Sequence, residues 1–344
     1  MAETHREIHL AERPDGMPDE STFHFVETDR PTPGPEELLI KNLYVSVDPY
    51  MRGRMRDSES YAPPWSVDDV IPARTVGEVI QSNHPDFEPG DFVYGYHEWA
   101  EYSTNSGNSV QTVDPDLAPL PSWLGVLGMT GRTAYFGMLE VGQPKPGETA
   151  VISGAAGAVG SIAGQIASLA GCSVIGIAGS DEKTRYLTSE LGFDEAINYK
   201  TDTVPDALDT YCPEGVDLYF DNVGGEITDA VIERLATDAT VVVCGQIALY
   251  NEEETPVGPR HFWKLVETRA RVEGFLVGDY QSQYEAANEQ LAEWIENDDI
   301  AYRETIKEGF ENIPEAFIGL FEGVNIGKLV VQIAEVENKN SRPT

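Results

Sequence analysis

The sequence predicts an α/β fold, a doubly wound parallel sheet joined to a mostly antiparallel β domain. Three observations predict it. Val151-Ile-Ser-Gly-Ala-Ala-Gly-Ala-Val-Gly160 reads as a strand running into a glycine turn, with Ser161–Ala170 as the helix that follows. From about Leu127, short apolar runs alternate with helical ones, the pattern of a parallel sheet wound by helices. Before that point, β-like runs are separated by Pro- and Gly-rich turns with no such alternation.

Taken in order, the N-terminal part carries β-like runs at Leu38–Val47, Thr75–Ile80 and Asp91–Tyr96, and turns such as Pro31-Thr-Pro-Gly-Pro35. The alternating part predicts a helix near 131–140, strand 149–153, helix 161–170, strand 173–178 and helix 182–191. It continues with strands 196–199 and 216–221, helix 226–236, strand 240–245, a strand near 272–277 and a helix near 283–297. The apolar run Leu329–Ile333 is expected to return to the first domain, and the polar tail Glu337–Thr344 to fray. The domains expected are therefore 1–125, completed by 300–344, and 126–299.

Gly154, Gly157 and Gly160 stand three apart, a spacing that lets the backbone turn tightly and approach a pyrophosphate while the helix packs on its strand. The helix N-terminus then offers amide groups and a positive dipole end to an anion. Ile162, Ile166 and Leu169 share one helical face, and Gly171 sits where a left-handed cap would end the helix. An ordinary tight turn uses glycines too, but the strand–turn–helix–strand context favours a dinucleotide site. The contact residues assigned to it are Gly154, Ala156, Gly157, Ala158, Val159 and Gly160.

The second strand ends in Ala178-Gly179-Ser180, where an NAD-specific site carries an acid for the ribose 2′-hydroxyl. Small residues leave room for a 2′-phosphate. Lys183 follows in the next turn, and Asn198-Tyr199-Lys200 ends the next apolar segment. A lysine ammonium and a tyrosine hydroxyl suit a phosphate dianion, so Gly179, Ser180, Lys183 and Tyr199 are assigned to NADPH. Asp181 and Glu182 oppose this unless they serve their own helix N-terminus, and Lys183 also reads as a solvated surface lysine.

With 344 residues, 59 acidic against 23 basic and a net charge of −36, the chain repels nucleic acid and anionic membrane surfaces. Its 41% hydrophobic content, 5 Trp, 15 Tyr and 12 Phe argue for packed domains rather than disorder. The scattered acids read as a solvated coat suited to a salt-rich, halophilic cytoplasm. Cys172, Cys212 and Cys244 have no CxxC spacing and read as small buried hydrophobes in a reducing compartment. The start MAETHREIHL lacks the apolar core of a signal peptide, and no run reaches bilayer-spanning length, so a cytoplasmic location is expected.

No metal site is expected. His5 and His9 read as a chance pair, and His97-Glu98-Trp-Ala-Glu101 as a strand with alternating exposed polar residues. There is no GxSxG elbow and no cysteine with an evident histidine partner, which leaves hydride transfer at a bound nicotinamide.

The runs YVSVDPYMRGRM (Tyr44–Met55), GVLGMTGRTAY (Gly125–Tyr135), GAAGAVGS (Gly154–Ser161), GSDEK (Gly179–Lys183), NYK (Asn198–Lys200), FDNVGG (Phe220–Gly225) and NIGK (Asn325–Lys328) stand in order along the chain. Together they resemble the zinc-free medium-chain reductases, in the NADPH-dependent alkenal/one double-bond subgroup of prostaglandin and curcumin reductases. The segment Tyr302–Gly323 points most to the curcumin reductases. The resemblance implies a GroES-like β domain with an inserted Rossmann domain, the cofactor in the cleft between them, and a homodimer. Zinc-dependent relatives carry a cysteine near Asp48 and a GHE histidine where this chain has Arg74-Thr-Val-Gly-Glu78, which implies that no zinc activates a carbonyl here.

The implied reaction is hydride transfer from NADPH to the β-carbon of an enal or enone, followed by protonation of the enolate. The resemblance assigns Tyr250 and Tyr50 as catalytic, with Tyr250 the donor to the substrate oxygen or proton source, and places Tyr50, Arg52 and Tyr250 in the substrate pocket. Tyr250 also reads as a loop tyrosine packed on the cofactor, and Arg52 equally as a partner of Asp48 fixing a turn. Met129, Thr130, Asn222, Cys244, Gly245 and Asn325 are assigned to the cofactor, with turn capping open for both asparagines. Phe262 and Trp263 can wall the pocket or sit in a core. Two other functions stay open: an NADPH:quinone oxidoreductase, and a non-catalytic NADPH-binding protein.

Overall fold

The computed structural model describes residues 3–254 and 256–336, so the tail expected to fray lies outside the described residues. In chain order the elements begin with β1 (Thr4–Leu10), β2 (Phe23–Asp29), β3 (Glu37–Ser46), α1 (Met51–Arg54), β4 (Pro72–Ser82), β5 (Phe92–Glu98), β6 (Tyr102–Ser106) and β7 (Val110–Thr112). There follow α2 (Met129–Phe136), β8 (Thr149–Ser153), α3 (Gly160–Leu169), β9 (Ser173–Ala178), α4 (Asp181–Ser189), β10 (Glu195–Asn198), α5 (Val204–Tyr211) and β11 (Val216–Asp221). The rest are α6 (Gly225–Ile232), β12 (Leu235–Val243), α7 (Phe262–Thr268), β13 (Arg271–Gly274), α8 (Tyr284–Glu296), β14 (Glu304–Glu308), α9 (Ile313–Glu322) and β15 (Lys328–Gln332).

These elements form two compact units. One holds the chain up to Leu124, Thr305–Glu322 and the residues from Leu329; the other holds Gly125–Glu304 and Gly323–Lys328. In the first unit, strands run β14-β15-β3-β4-β5-β7 with β6 on β3, and β1 pairs with β2. The β3 pairings with β4, β6 and β15 are antiparallel. Its core packs Ile8, Leu10, Val45 and Trp99 against Phe310 and Phe317 from the C-terminal return.

A buried polar chain crosses that sheet. His97 Nδ1 lies 2.7 Å from Thr75 Oγ1, which donates to Asn42 Oδ1 at 2.7 Å; Asn42 Nδ2 donates to the Ala100 carbonyl and to Ser103 Oγ. Because the threonine proton goes to Asn42, the histidine must donate from Nδ1. His97 is therefore buried, not the exposed polar residue expected of this strand; Thr75 on the neighbouring strand holds its Nδ1, while its Nε2 is buried with no hydrogen-bond partner. Burial pushes its imidazole down to about 4 from the usual 6.5. A base with a depressed folded pKa contributes stability above its unfolded pKa and loses it as pH falls through the folded one. Stability is expected to fall between about pH 6.5 and 4 by on the order of 3 kcal/mol from this group. Urea titrations across that range check this: His97→Gln should flatten the pH slope, and an unchanged slope refutes the assignment.

The second unit is the doubly wound sheet, in the order β10-β9-β8-β11-β12-β13. All of its pairings are parallel. β9 and β11 are almost wholly buried, which explains the apolar runs Val174–Ala178 and Leu218–Phe220 within them. Gly171 ends the turn after α3 at φ +89, as its position suggested. Leu169 departs from expectation: at the last residue of α3 it is 46% exposed, and Ala163, Ile166 and Ala167 carry the inward face.

Several boundaries differ for local reasons. The helix expected near 131–140 starts at Met129 and widens into a π-helical stretch over Gly137–Gly142, where a Cβ on Gly137 would press on Phe220 and Phe275. β12 begins at Leu235, five residues early, because Asp238 at φ +64 forms an irregularity that keeps the chain in the sheet. Helix α5, opened by Pro205 at its N-terminus, has no counterpart in the sequence reading; nor do α7 and α9.

Candidate active site

Strand order in the second unit reverses between β8 and β11, and open α/β sheets bind ligands at such a switch point, outside the carboxyl ends of the strands. Gly154 leaves β8 there at φ +58, and a Cβ on it would lie 3.3 Å from Cβ of Asn222. A Cβ on Gly160, the first residue of α3, would overlap the Gly154 carbonyl. The Gly157 N–H donates to the Gly154 carbonyl at 3.0 Å, and the Ala155 N–H to Ile177 at 3.0 Å. The turn is thus closed on itself, with Ala156, Ala158 and Val159 carried on it beside the N-terminus of α3. A side chain at Gly160 would force the turn and the helix apart, and one at Gly154 would press on Asn222 and Val223 at a strained positive φ, so the tight turn a pyrophosphate needs depends on both glycines.

At the end of β9, Gly179, Ser180, Lys183 and Tyr199 come together. A Cβ on Gly179 would meet the Tyr199 hydroxyl at 2.9 Å, so the phenol lies across the glycine. Ser180 caps α4, its hydroxyl accepting the Lys183 N–H at 3.3 Å. Asn198 Nδ2 donates to Asp181 at 2.7 Å, so one of the two opposing acids is engaged away from the lysine. Lys183 Nζ donates to the Gly323 carbonyl at 2.7 Å. Burial, then the neighbouring Lys200 ammonium, holds Lys183 below the ordinary lysine range. Lys200 is the residue the sequence assignments left out; it stood in the NYK run beside Tyr199. No acid ends β9, and a second cation, Lys200, lies close enough to Lys183 to repel its charge, so the residues fit a phosphorylated dinucleotide.

At the end of β11, Asp221 is fully buried and organises the next turn. Its Oδ1 accepts from Tyr219, Ser153, Val223 and Gly224 at 2.9–3.1 Å, and its Oδ2 from Thr228 at 2.8 Å. The FDNVGG run contained it, but nothing local marked it as a hub. Asn222 spans to β8, its N–H donating to Ser153 Oγ and its Nδ2 to the Ser153 carbonyl at 2.8 Å.

The chain after β12 then folds back over this turn. Cys244 and Gly245 donate their N–H groups to the Asp221 carbonyl, Ile247 to Asn222 and Ala248 to Val223. The Tyr250 hydroxyl ends up accepting the Gln246 N–H at 3.3 Å, and a Cβ on Gly245 would lie 3.2 Å from it. Tyr250, Asn222, Cys244 and Gly245 therefore share one strand end. Burial, then Asp221, pushes the Cys244 thiol up to about 12, so it is no nucleophile.

Thr130 is buried and donates to the Gly125 carbonyl at 3.0 Å, and Met129 opens α2. Asn325 Nδ2 donates to the Gly327 carbonyl at 2.7 Å, the turn-capping use left open for it. The Gly327 N–H reaches the Ala156 carbonyl at 2.8 Å, which lays Asn325 and its neighbours along the glycine turn.

In the first unit, Tyr50 precedes α1, its hydroxyl pushed well up by burial and then by Asp48, and it hydrogen-bonds Tyr96. Arg52 is 1% exposed, with Nη2 donating to the Pro14 and Gly16 carbonyls at 2.9 Å. Those bonds make Arg52 an anchor for the 14–16 loop. Phe262 and Trp263 on α7 are 82% and 69% exposed, so they belong to no core. His5 and His9 flank the Glu7 carboxylate at 3.3 and 2.8 Å, and among the described residues no three His, Cys, Asp or Glu groups cluster as metal ligands do.

Two family models match: the N-terminal domain of oxidoreductase over residues 6–113, and zinc-binding dehydrogenase over residues 158–293. The putative NADP-dependent oxidoreductase YfmJ of Bacillus subtilis is 50% identical over 339 residues, covering 97% of this chain and 99% of its own. The NADPH-dependent curcumin reductase of Escherichia coli is 44% identical, over 94% of this chain and 96% of its own. This chain is a medium-chain reductase of the curcumin and alkenal reductase subgroup. A solved member, CurA from Vibrio vulnificus in complex with NADPH, superposes with a TM-score of 0.92 at 43% identity, over 96% of this reductase and 100% of CurA.

Proposed function

We propose that this reductase uses NADPH to reduce the conjugated C=C bond of enals and enones. The observation that carries the reading is the convergence on one edge of a single sheet. The glycine turn, the Ser180–Lys183–Tyr199 cluster and the Tyr250 hydroxyl all stand at carboxyl strand ends. Family membership supports the cofactor, which supplies a hydride to the β-carbon when bound.

The chain's own residues do the rest. The backbone from Gly154 to Gly160 cradles the pyrophosphate, with Ala156, Ala158 and Val159 in contact. Gly179, Ser180, Lys183, Tyr199 and, newly, Lys200 hold the 2′-phosphate. Asn222, Cys244, Gly245, Met129, Thr130 and Asn325 shape the nicotinamide half. Negative charge builds on the substrate oxygen as the β-carbon is reduced, and a preorganised donor aimed there lowers the barrier. We assign that donor to Tyr250, and Tyr50 to the substrate. Arg52 acts at one remove, by fixing the 14–16 loop. Incubation with NADPH and either 2-alkenals or quinones tests the reading: consumption with alkenals supports it, and oxidation by quinones alone overturns it.

We also propose a homodimer built on β13. This edge strand is exposed at all four residues, beside exposed Phe262, Trp263 and Val266 on α7. An antiparallel self-pairing centred on Val272 would set Arg271 opposite Glu273 of the partner subunit. Light scattering should give twice 37.7 kDa, and Val272→Lys should halve that mass; a wild-type monomer contradicts the proposal.

The acidic coat and buried thiols suit a salt-rich cytoplasm. The screening length shrinks from about 10 Å at 0.1 M salt to about 3 Å at 1 M. Melting temperature is accordingly expected to fall sharply on dilution into low salt; a flat response removes the salt-adaptation claim. Among the described residues no helix is long and apolar enough to cross a membrane.

A further inference from the structure

The segment Gly323–Lys328 is the part of the C-terminal return that clusters with the second unit. It is pinned at both ends. At its start Lys183 Nζ donates to the Gly323 carbonyl at 2.7 Å. Near its end the Gly327 N–H donates to Ala156 at 2.8 Å, Gly327 bridges to Gly157 as in a parallel ladder, and the Lys328 N–H reaches the Arg303 carbonyl at 3.0 Å. Asn325 closes the bend between the two ends onto the Gly327 carbonyl. Gly323 and Gly327 take φ +71 and +67, and a Cβ on Gly327 would overlap the Arg303 carbonyl. This strap is a built feature whose path glycine alone permits at Gly327.

The strap connects the proposed phosphate pocket to the proposed pyrophosphate turn. An ammonium carries three donors, and Gly323 uses one of them. The lysine stem is partly buried beside the Lys200 ammonium, so an anion would be welcome there without displacing Gly323.

We infer that Lys183 bridges the 2′-phosphate to the strap, so that the group distinguishing NADPH from NADH also fastens Gly323–Lys328 against the glycine turn. The inference rests on the NADPH reading above and deepens it. Lys183 then holds the phosphate and positions the strap, whose Asn325 is assigned to the nicotinamide half. Segments held by a few hydrogen bonds open locally, and strengthening one anchor lowers the frequency of opening.

Amide exchange at Gly327 tests this, with adenosine 2′,5′-bisphosphate compared against AMP, each at saturation established by calorimetry. The two probes differ only in the 2′-phosphate, and neither carries the nicotinamide assigned to Asn325. The bisphosphate should slow Gly327 exchange about fivefold relative to AMP. Lys183→Met should abolish that difference at saturation, and Lys183→Arg should restore part of it. Equal protection by the two probes, or a difference that survives in Lys183→Met, overturns the inference while leaving the NADPH reading standing. Failure of both probes to bind overturns the NADPH reading, and the inference with it.

Discussion

Tyr250→Phe is expected to lower kcat for enone reduction about 100- to 1000-fold, with little change in NADPH affinity. The hydroxyl is held in place by the Gln246 N–H at 3.3 Å, above Gly245 and beside the Asn222 turn. A hydrogen bond received by the phenol oxygen polarises its O–H, and phenylalanine removes that donor while keeping the ring. Because the interaction grows as charge develops on the substrate oxygen, the loss belongs in kcat rather than in binding. Stopped-flow measurement of NADPH oxidation at saturating enone, with the circular dichroism spectrum as a folding control, reads the effect. Full turnover by the variant would return Tyr250 to the role of a packing residue and leave the fold untouched.

Lys183→Ala is expected to raise the NADPH Michaelis constant about 10- to 100-fold, because hydrogen bonds to charged groups contribute about 1.5–3 kcal/mol. NADH, which lacks the 2′-phosphate, should lose far less in KM. The strap bond to Gly323 is lost with either cofactor, so any shared decline should fall on kcat. Steady-state kinetics with both cofactors separates the two. Equal rises in KM for NADPH and NADH would refute the phosphate role.

The doubly wound half was legible because its signals are local. Buried strands flanked by helices read as short, mainly apolar runs, and three of them, 149–153, 173–178 and 216–221, coincide with β8, β9 and β11. Gly154 and Gly160 announced the turn for the reason the structure shows, that a Cβ at either would be crowded. What escaped was set by partners distant in sequence. The burial of His97 depends on Thr75, 22 residues away, and through it on Asn42, 33 residues further. Asp221 is a hub because Ser153, Thr228 and the following amides converge on it across two strands. Arg52 looked like a pocket residue in its motif, and the carbonyls of Pro14 and Gly16 take its donors instead. Short helices such as α5 and α7 span too few turns for periodicity to show.

The experiment that bears most directly on the account is turnover with NADPH deuterated at the transferred position of C4, using a simple 2-alkenone and reading the product by NMR. A saturated ketone bearing deuterium at the β-carbon, and a solvent proton at the α-carbon, is the predicted result. An allylic alcohol with deuterium on the former carbonyl carbon, or no label in any product, would contradict it.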